Sequence, residues 1–227
     1  MLRVVRVGGS LLTWDHLPAE LHRWLASHSS ACNVLVAGGG PWVEALRETA
    51  ARFSMEEETA HWLSVQAMEL TAKLLHSLMP EDVCFVTGFA ELRSVISQPR
   101  PPRIVFDVGD FLRDVERDQP GIPLPRNWRV TSDSIAARVA IVLQADELVL
   151  LKSADPPHFT DVQQLAACGY VDTCFPVAAD GLTVRFENLR ECHHECSHPE
   201  PRSGCEKIVG VQASAGFVGR KAREKAR

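Results

Sequence analysis

Apolar residues fall in two kinds of run along this chain. Short continuous runs, in Val4-Val5-Arg6-Val7, Val34-Leu35-Val36-Ala37, Val83-Cys84-Phe85-Val86, Ile104-Val105-Phe106 and Leu148-Val149-Leu150-Leu151, predict buried strands, with a last one over 182–186. Between them the spacing turns helical. Leu17, Leu21, Trp24 and Leu25 give one apolar face to a helix over 15–28. Further helices are expected over 42–53, 90–96, 135–145 and 160–168. Ser54 with Glu57 reads as a capping box opening a long helix to about residue 79, striped by Leu63, Ala67, Leu70, Leu74 and Leu78 and ended by Pro80. The segment 114–129 holds three prolines and a glycine and predicts a long surface loop. Strands alternating with helices imply an α/β fold around a mainly parallel sheet.

Two strands run straight into glycines. Val7 is followed by Gly8-Gly9-Ser10 and Ala37 by Gly38-Gly39-Gly40-Pro41. Such turns place backbone N–H groups at the sheet edge where parallel sheets bind ligands, and the natural ligand is an anion, phosphate above all. Neither turn has the G-x-x-x-x-G-K-[ST] or G-x-G-x-x-G spacing, so a P-loop and a dinucleotide site are both disfavoured.

Composition narrows the classes. At 227 residues, 45% hydrophobic and 23% charged, the chain is ordinary for a globular protein. The formal charge of -5 argues against a nucleic-acid partner, and no apolar run approaches the ~20 residues of a membrane span. The chain opens on a core strand, leaving no room for a cleavable signal. Seven cysteines, an odd number, suit a reducing compartment, and a cytoplasmic location is expected. The domain is expected over 1–190, with 191–227 a Cys/His-rich and basic tail. There Cys192, Cys196, His198 and Cys205 raise a zinc hypothesis, although the spacing fits none of the common finger patterns and a flexible tail is the plain alternative.

Three charged residues are placed to meet the glycine turns. Arg6 lies two positions before Gly8, Asp133 falls in the first turn of a helix opened by Thr131-Ser132, and Lys152 ends a buried strand. Phosphoryl transfer needs charge neutralisation and alignment more than covalent help; Arg6 and Lys152 supply positive charge, Mg2+ the rest, and Asp133 holds the basic groups or the metal. Each has a plainer reading. Asp133 also suits the positive end of any helix, Lys152 could be an exposed strand end, the glycines tight turns only, and His61 a surface or core histidine rather than part of a substrate pocket.

The segments Val5-Arg6-Val7-Gly8-Gly9-Ser10, Ala37-Gly38-Gly39-Gly40, Val130-Thr131-Ser132-Asp133-Ser134-Ile135-Ala136-Ala137 and Leu150-Leu151-Lys152-Ser153-Ala154-Asp155 resemble, in the same order, the amino acid kinase superfamily. That superfamily includes aspartate, acetylglutamate, carbamate and uridylate kinases, and the resemblance spans about residues 3–190. The pattern His61-Trp62-Leu63-x-x-x-Ala67-Met68 looks most like the small kinases of methanofuran biosynthesis, which convert (5-(aminomethyl)furan-3-yl)methyl phosphate to the diphosphate with ATP. The resemblance implies a three-layer αβα sandwich, with ATP over the C-terminal half and the acceptor over the N-terminal half. The glycine turns would hold the transferring phosphoryl group and acceptor, Asp133 would organise the basic residues, and Lys152, Ser153 and Asp155 would border the nucleotide. ATP and Mg2+ are the implied cofactors and a homodimer or higher homo-oligomer the implied assembly. One position departs from the pattern: Arg6 stands where the family usually carries lysine, and arginine is larger, planar and differently hydrated. No later lysine precedes Lys207. Two other readings therefore stand beside the kinase: a non-catalytic nucleotide- or metabolite-binding protein retaining the fold, and a structural partner using the tail as its contact.

Overall fold

Strand β1, Leu2–Val7, is apolar on both faces and is flanked on both edges, which makes it a central strand. The computed structural model describes residues 1–158 and 161–191. After β1 a short 3-10 turn, Gly9–Leu11, leads to α1, Leu17–Ser27, then β2, Cys32–Ala37, α2, Gly40–Arg52, and α3, Glu57–Ser77. Next come β3, Val83–Val86, α4, Phe89–Ile96, and β4, Arg103–Phe106. A π-turn at Phe111–Val115 and a 3-10 turn at Glu116–Asp118 precede α5, Ser132–Leu143, and β5, Glu147–Lys152. Two short helices, α6 at Val162–Ala167 and α7 at Phe175–Ala178, lead into β6, Val184–Asn188. The six strands lie in the order β3-β4-β2-β1-β5-β6, every pair parallel. This is the expected α/β architecture of a parallel sheet with flanking helices.

Strand parity decides what each side chain meets. Val5, Val7, Leu35, Val149 and Leu151 pack with Leu17, Leu21, Trp24 and Leu25 of α1. Val4, Val34, Val36, Leu148 and Leu150 pack on the other face with Ile135, Ala136 and Val139 of α5, Phe89 of α4 and Phe175 of α7. Arg6 and Lys152 share the parity of Val4 and Leu150, so both reach the face carrying α5. Among the described residues no helix is long and apolar enough to cross a membrane.

Three local expectations are corrected. Ser54 does not cap α3; it takes a left-handed φ of 46° at the end of α2. There Met55 N–H bonds the Ala50 carbonyl at 2.9 Å and Ser54 N–H the Ala51 carbonyl at 3.4 Å, so the residue closes the preceding helix instead. Helix α3 buries Ala60, His61, Val65, Met68, Ala72 and Leu75, while Leu70 and Leu78 of the leucine stripe are exposed. The inner face, Leu75 included, therefore lies one step round the helix from the predicted stripe. The stretch 114–129 is also no simple surface loop. Glu116 and Leu124 are buried, and the fully buried Arg138 guanidinium of α5 bonds Glu116 Oε1 at 2.8 Å and the carbonyls of Glu116, Gln119 and Pro120.

Candidate active site

The two glycine turns touch backbone to backbone. A Cβ on Gly38 would lie 2.5 Å from the Gly9 nitrogen, and one on Gly9 would lie 2.8 Å from Gly40 Cα and closer still to the Gly40 nitrogen. Only residues without side chains allow that approach. The amides divide into two groups. Gly8 N–H bonds the Leu151 carbonyl at 2.9 Å and Gly38 N–H the Val7 carbonyl at 2.8 Å, so these two extend the sheet. Among the described residues no backbone carbonyl receives the amides of Gly9, Ser10, Gly39 or Gly40. These four residues line one cavity of about 500 Å³, together with Arg6, His61, Ser132 and Lys152.

Behind the cavity-lining Arg6, Ser132 and Lys152, the buried Asp133 lies between two cations. Lys152 Nζ donates to its Oδ2 at 2.8 Å, and Arg6 Nε approaches its Oδ1 at 3.0 Å. The Arg6 contact is an ion pair without an aligned hydrogen bond: the Nε–H points at Ser132 Oγ, 3.1 Å away, and Nη2 donates to the same hydroxyl at 2.9 Å. Arg6 Nη1 faces the first glycine turn, within 3.2 Å of where a Gly8 Cβ would sit. Lys152 also donates to the Tyr170 carbonyl at 2.6 Å and lies 4.9 Å from that ring's centroid. Two of its three N–H groups are thereby committed and one is left. Burial, then the Arg6 charge, lowers the Lys152 pKa, with Asp133 and Asp172 opposing. Burial, aided by the charges of Asp155 and Asp133, raises that of the Tyr170 phenol.

Helix α5 delivers Ser132 and Asp133 from its first turn. Thr131 is its N-cap, accepting the Asp133 amide at 3.4 Å, and the helix end favours the negative charge of Asp133. The other wall is built by α2, α3 and the segment before α5. His61, buried on α3, lines it with Val65, Met68, Trp128 and Val130. Burial, then the Arg126 charge, lowers the His61 pKa, against a bond to the Asn127 backbone. Arg47 of α2 packs over Trp128 at 5.3 Å and Arg126 over Trp62 at 4.7 Å, holding that segment across the cavity.

The structure thus brings Arg6, Gly9, Ser10, Gly39, Gly40, His61, Asp133 and Lys152 together. Ser153 joins their edge, its Oγ 2.8 Å from Ser10 Oγ. Gly8 and Gly38 shape the turns without offering their amides, and Asp155 points elsewhere, accepting from Asn188 at 3.2 Å. Cys192, Cys196, His198 and Cys205 lie outside the described residues. Sequence reasoning missed Ser132 as the arginine's partner, Trp128 and Arg47 in the far wall, and Asp172, whose carboxylate meets the start of α5. The hydroxyl run Thr131-Ser132-Asp133-Ser134 was the available signal for the first; the others sit in irregular segments that carry none.

No protein-family profile matches the chain. A uridylate kinase of Methanosarcina barkeri is 28% identical over 169 residues, the match covering 71% of this chain and 64% of that enzyme, just under two thirds of its length. Among solved structures, UMP kinase from Bacillus anthracis superposes with a TM-score of 0.59 at 15% identity, covering 86% of this chain and 92% of that one. Aspartate kinase from Synechocystis does so with a TM-score of 0.56 at 14% identity, covering 84% of this chain and 38% of that one. The fold is the one these UMP kinase and aspartate kinase structures share.

Proposed function

We propose that the chain is an ATP-dependent phosphotransferase acting on a small phosphorylated or carboxylated acceptor. The reading is carried by one observation: two touching glycine turns, four of whose amides meet no backbone carbonyl among the described residues, line the same cavity as Arg6 and Lys152, which the buried Asp133 holds. A phosphoryl group has oxygens for such amides, and its transfer is promoted by fixed positive charge aimed at the developing negative charge. The glycines keep the two turns together, because a side chain on Gly9 or Gly38 would strike the backbone of the other turn and part the two sets of amides. Arg6 Nη1 and the remaining Lys152 N–H are the cationic donors for it. Both Asp133 oxygens already face cations, so this carboxylate serves to fix Arg6 and Lys152. Mg2+ carried in with the nucleotide would add charge neutralisation at the phosphates.

That arrangement favours an acceptor whose attacking oxygen is already ionised. The oxygen of a phosphate monoester or carboxylate bonds to the γ-phosphorus as the bridging oxygen leaves with ADP, and no general base is required. The far wall suits a compact, partly apolar body: Val65, Met68 and Val130 offer contact, Trp128 a face, and the neutral His61 a hydrogen bond. A furan ring is a compact body of that kind, and with the sequence resemblance this makes (5-(aminomethyl)furan-3-yl)methyl phosphate our candidate acceptor. The uridylate kinase likeness makes UMP the comparison substrate. The binding-only alternative has one observation in its favour: Arg6 is tied to Ser132 and Asp133 where the resembling family carries lysine.

The test is a turnover screen with ATP-Mg against the furan monophosphate, UMP and small carboxylates, reading ADP release and phosphorylated product. Product from one phosphorylated acceptor at rates far above the acceptor-free control is the expected result. ATP binding with no product, in the parent and in Arg6→Lys alike, would replace the kinase with the binding protein.

A further inference from the structure

The carboxylate of Asp172, between α6 and α7, is surrounded by donors. Its Oδ2 accepts from Thr131 N–H at 3.0 Å, Thr131 Oγ1 at 2.8 Å and Ser134 N–H at 3.1 Å. Its Oδ1 accepts from Ser134 Oγ at 2.5 Å and from the amides of Cys174 and Phe175, each at 3.0 Å. Six bonds are more than a surface aspartate needs, and their direction is informative. Four come from the two residues flanking Ser132-Asp133, the pair that holds Arg6 and Lys152. Two residues before Asp172, the Tyr170 carbonyl accepts from Lys152 itself. One short stretch therefore grips both the start of α5 and the lysine at the end of β5.

We propose that Asp172 is a positioning residue: its carboxylate locks the Thr131–Ser134 turn and thereby sets where Asp133 and Ser132 hold Arg6 and Lys152 for the phosphoryl transfer proposed above, on which reading this inference rests. A neutral amide cannot take its place. Each oxygen meets three donors, so in Asp172→Asn either orientation turns an NH2 group toward three N–H or O–H groups. The turn must then open, and Asp133 moves with it. The groups facing Lys152 are Arg6 from β1, Asp133 from α5, the carbonyl and ring of Tyr170, and Asp172 at longer range. Loss of the Asp172 charge removes one of the two carboxylates that raise the Lys152 pKa against burial and the Arg6 charge.

The experiment uses the full chain and two variants, Asp172→Asn and the milder Ser134→Ala, which deletes one bond to Oδ1 and keeps the carboxylate. The pH dependence of Lys152 acylation by a small amine reagent is read by mass spectrometry, with the exposed Lys73 as internal reference. Turnover is measured in parallel. The expected result is a Lys152 reactivity midpoint moved to lower pH in Asp172→Asn, with Lys73 unmoved, and kcat reduced about 10- to 100-fold while KM for ATP and acceptor changes less than about threefold. Ser134→Ala should cut kcat about threefold. If Asp172→Asn does not fold, Ser134→Ala decides through that kcat. A folded Asp172→Asn with parental Lys152 titration and parental kcat overturns the inference, as does a Ser134→Ala variant with parental kcat where Asp172→Asn is unfolded. Should the parent itself show no turnover, the kinase reading fails alone. The acylation profile of Asp172→Asn, or of Ser134→Ala in its place, then decides whether the carboxylate positions Lys152: a shifted midpoint supports it and an unshifted one overturns it.

Discussion

Replacing Gly9 by alanine is the smallest change that bears on the proposed phosphate cradle. The new Cβ would sit 2.8 Å from Gly40 Cα and nearer to the Gly40 nitrogen, both backbone atoms that no rotamer change can move aside. Ordinary carbon contact lies near 3.5–4.0 Å, so the two turns must separate by about 1 Å. Overpacking of this kind costs about 1–3 kcal/mol, partly offset by the reduced freedom of the unfolded chain, since Gly9 does not need a left-handed φ. The effect on chemistry should be much larger, because a displacement of about 1 Å in a reacting constellation costs on the order of 100-fold in rate. Gly88→Ala serves as the control. Its Cβ meets nothing nearer than Glu91 Cβ at 3.8 Å, yet it alters the N-cap of α4, so it should lose stability by up to about 1 kcal/mol and no activity. Urea unfolding, ATP binding by calorimetry and kcat are measured on all three proteins. Gly9→Ala with ATP affinity and kcat within about threefold of the parent would show that the turns are architectural only.

Asp133→Asn removes the counter-charge of two buried cations; kcat should fall by 100-fold or more, while stability falls by about 3 kcal/mol at most because Lys152 can shed its proton, and unchanged turnover would remove Asp133 from the site. Arg138→Ala should cost about 3–5 kcal/mol in urea unfolding, since Glu116 and the carbonyls of Glu116, Gln119 and Pro120 lose their buried donor together. Burial holds the Asp107 carboxyl above its ordinary pKa, opposed by the Gly109 amide that bonds its Oδ1. A raised folded pKa means stability that is full at low pH and declines as pH rises from the unfolded value of about 3.9 through the folded one. Asp107→Asn keeps the acceptor for Gly109, so it should be more stable than the parent at pH 7 and equal to it at pH 3, as read by thermal unfolding.

Much of the site could be read from the sequence because β1, β2 and β5 are buried on both faces and so appear as unbroken apolar runs ending at glycines or a lysine. Once these strands are parallel neighbours, the parity of Val4 and Leu150 sends Arg6 and Lys152 to the same side, and Thr131-Ser132-Asp133 marks the start of the helix that faces them. What stayed hidden depends on partners distant in sequence. Asp172 bonds donors about forty positions earlier, and nothing in its own neighbourhood reveals that. Trp128 and Arg47 meet only because an irregular segment crosses α2. The inner face of α3 was misread because Leu63, Leu70, Leu74 and Leu78 define a stripe about one step round the helix from the face that Ala60, Val65, Met68, Ala72 and Leu75 bury.

The placement of β1 between β2 and β5 has a consequence for biosynthesis. Arg6 emerges from the ribosome first, yet its partner Ser132 lies 126 positions later, roughly 6–25 s at ordinary elongation rates. Throughout that interval one edge of the N-terminal strand has no mate, and a chain stalled before β5 presents an open apolar ribbon to its neighbours. Nascent and prematurely terminated products should therefore be the species that chaperones bind.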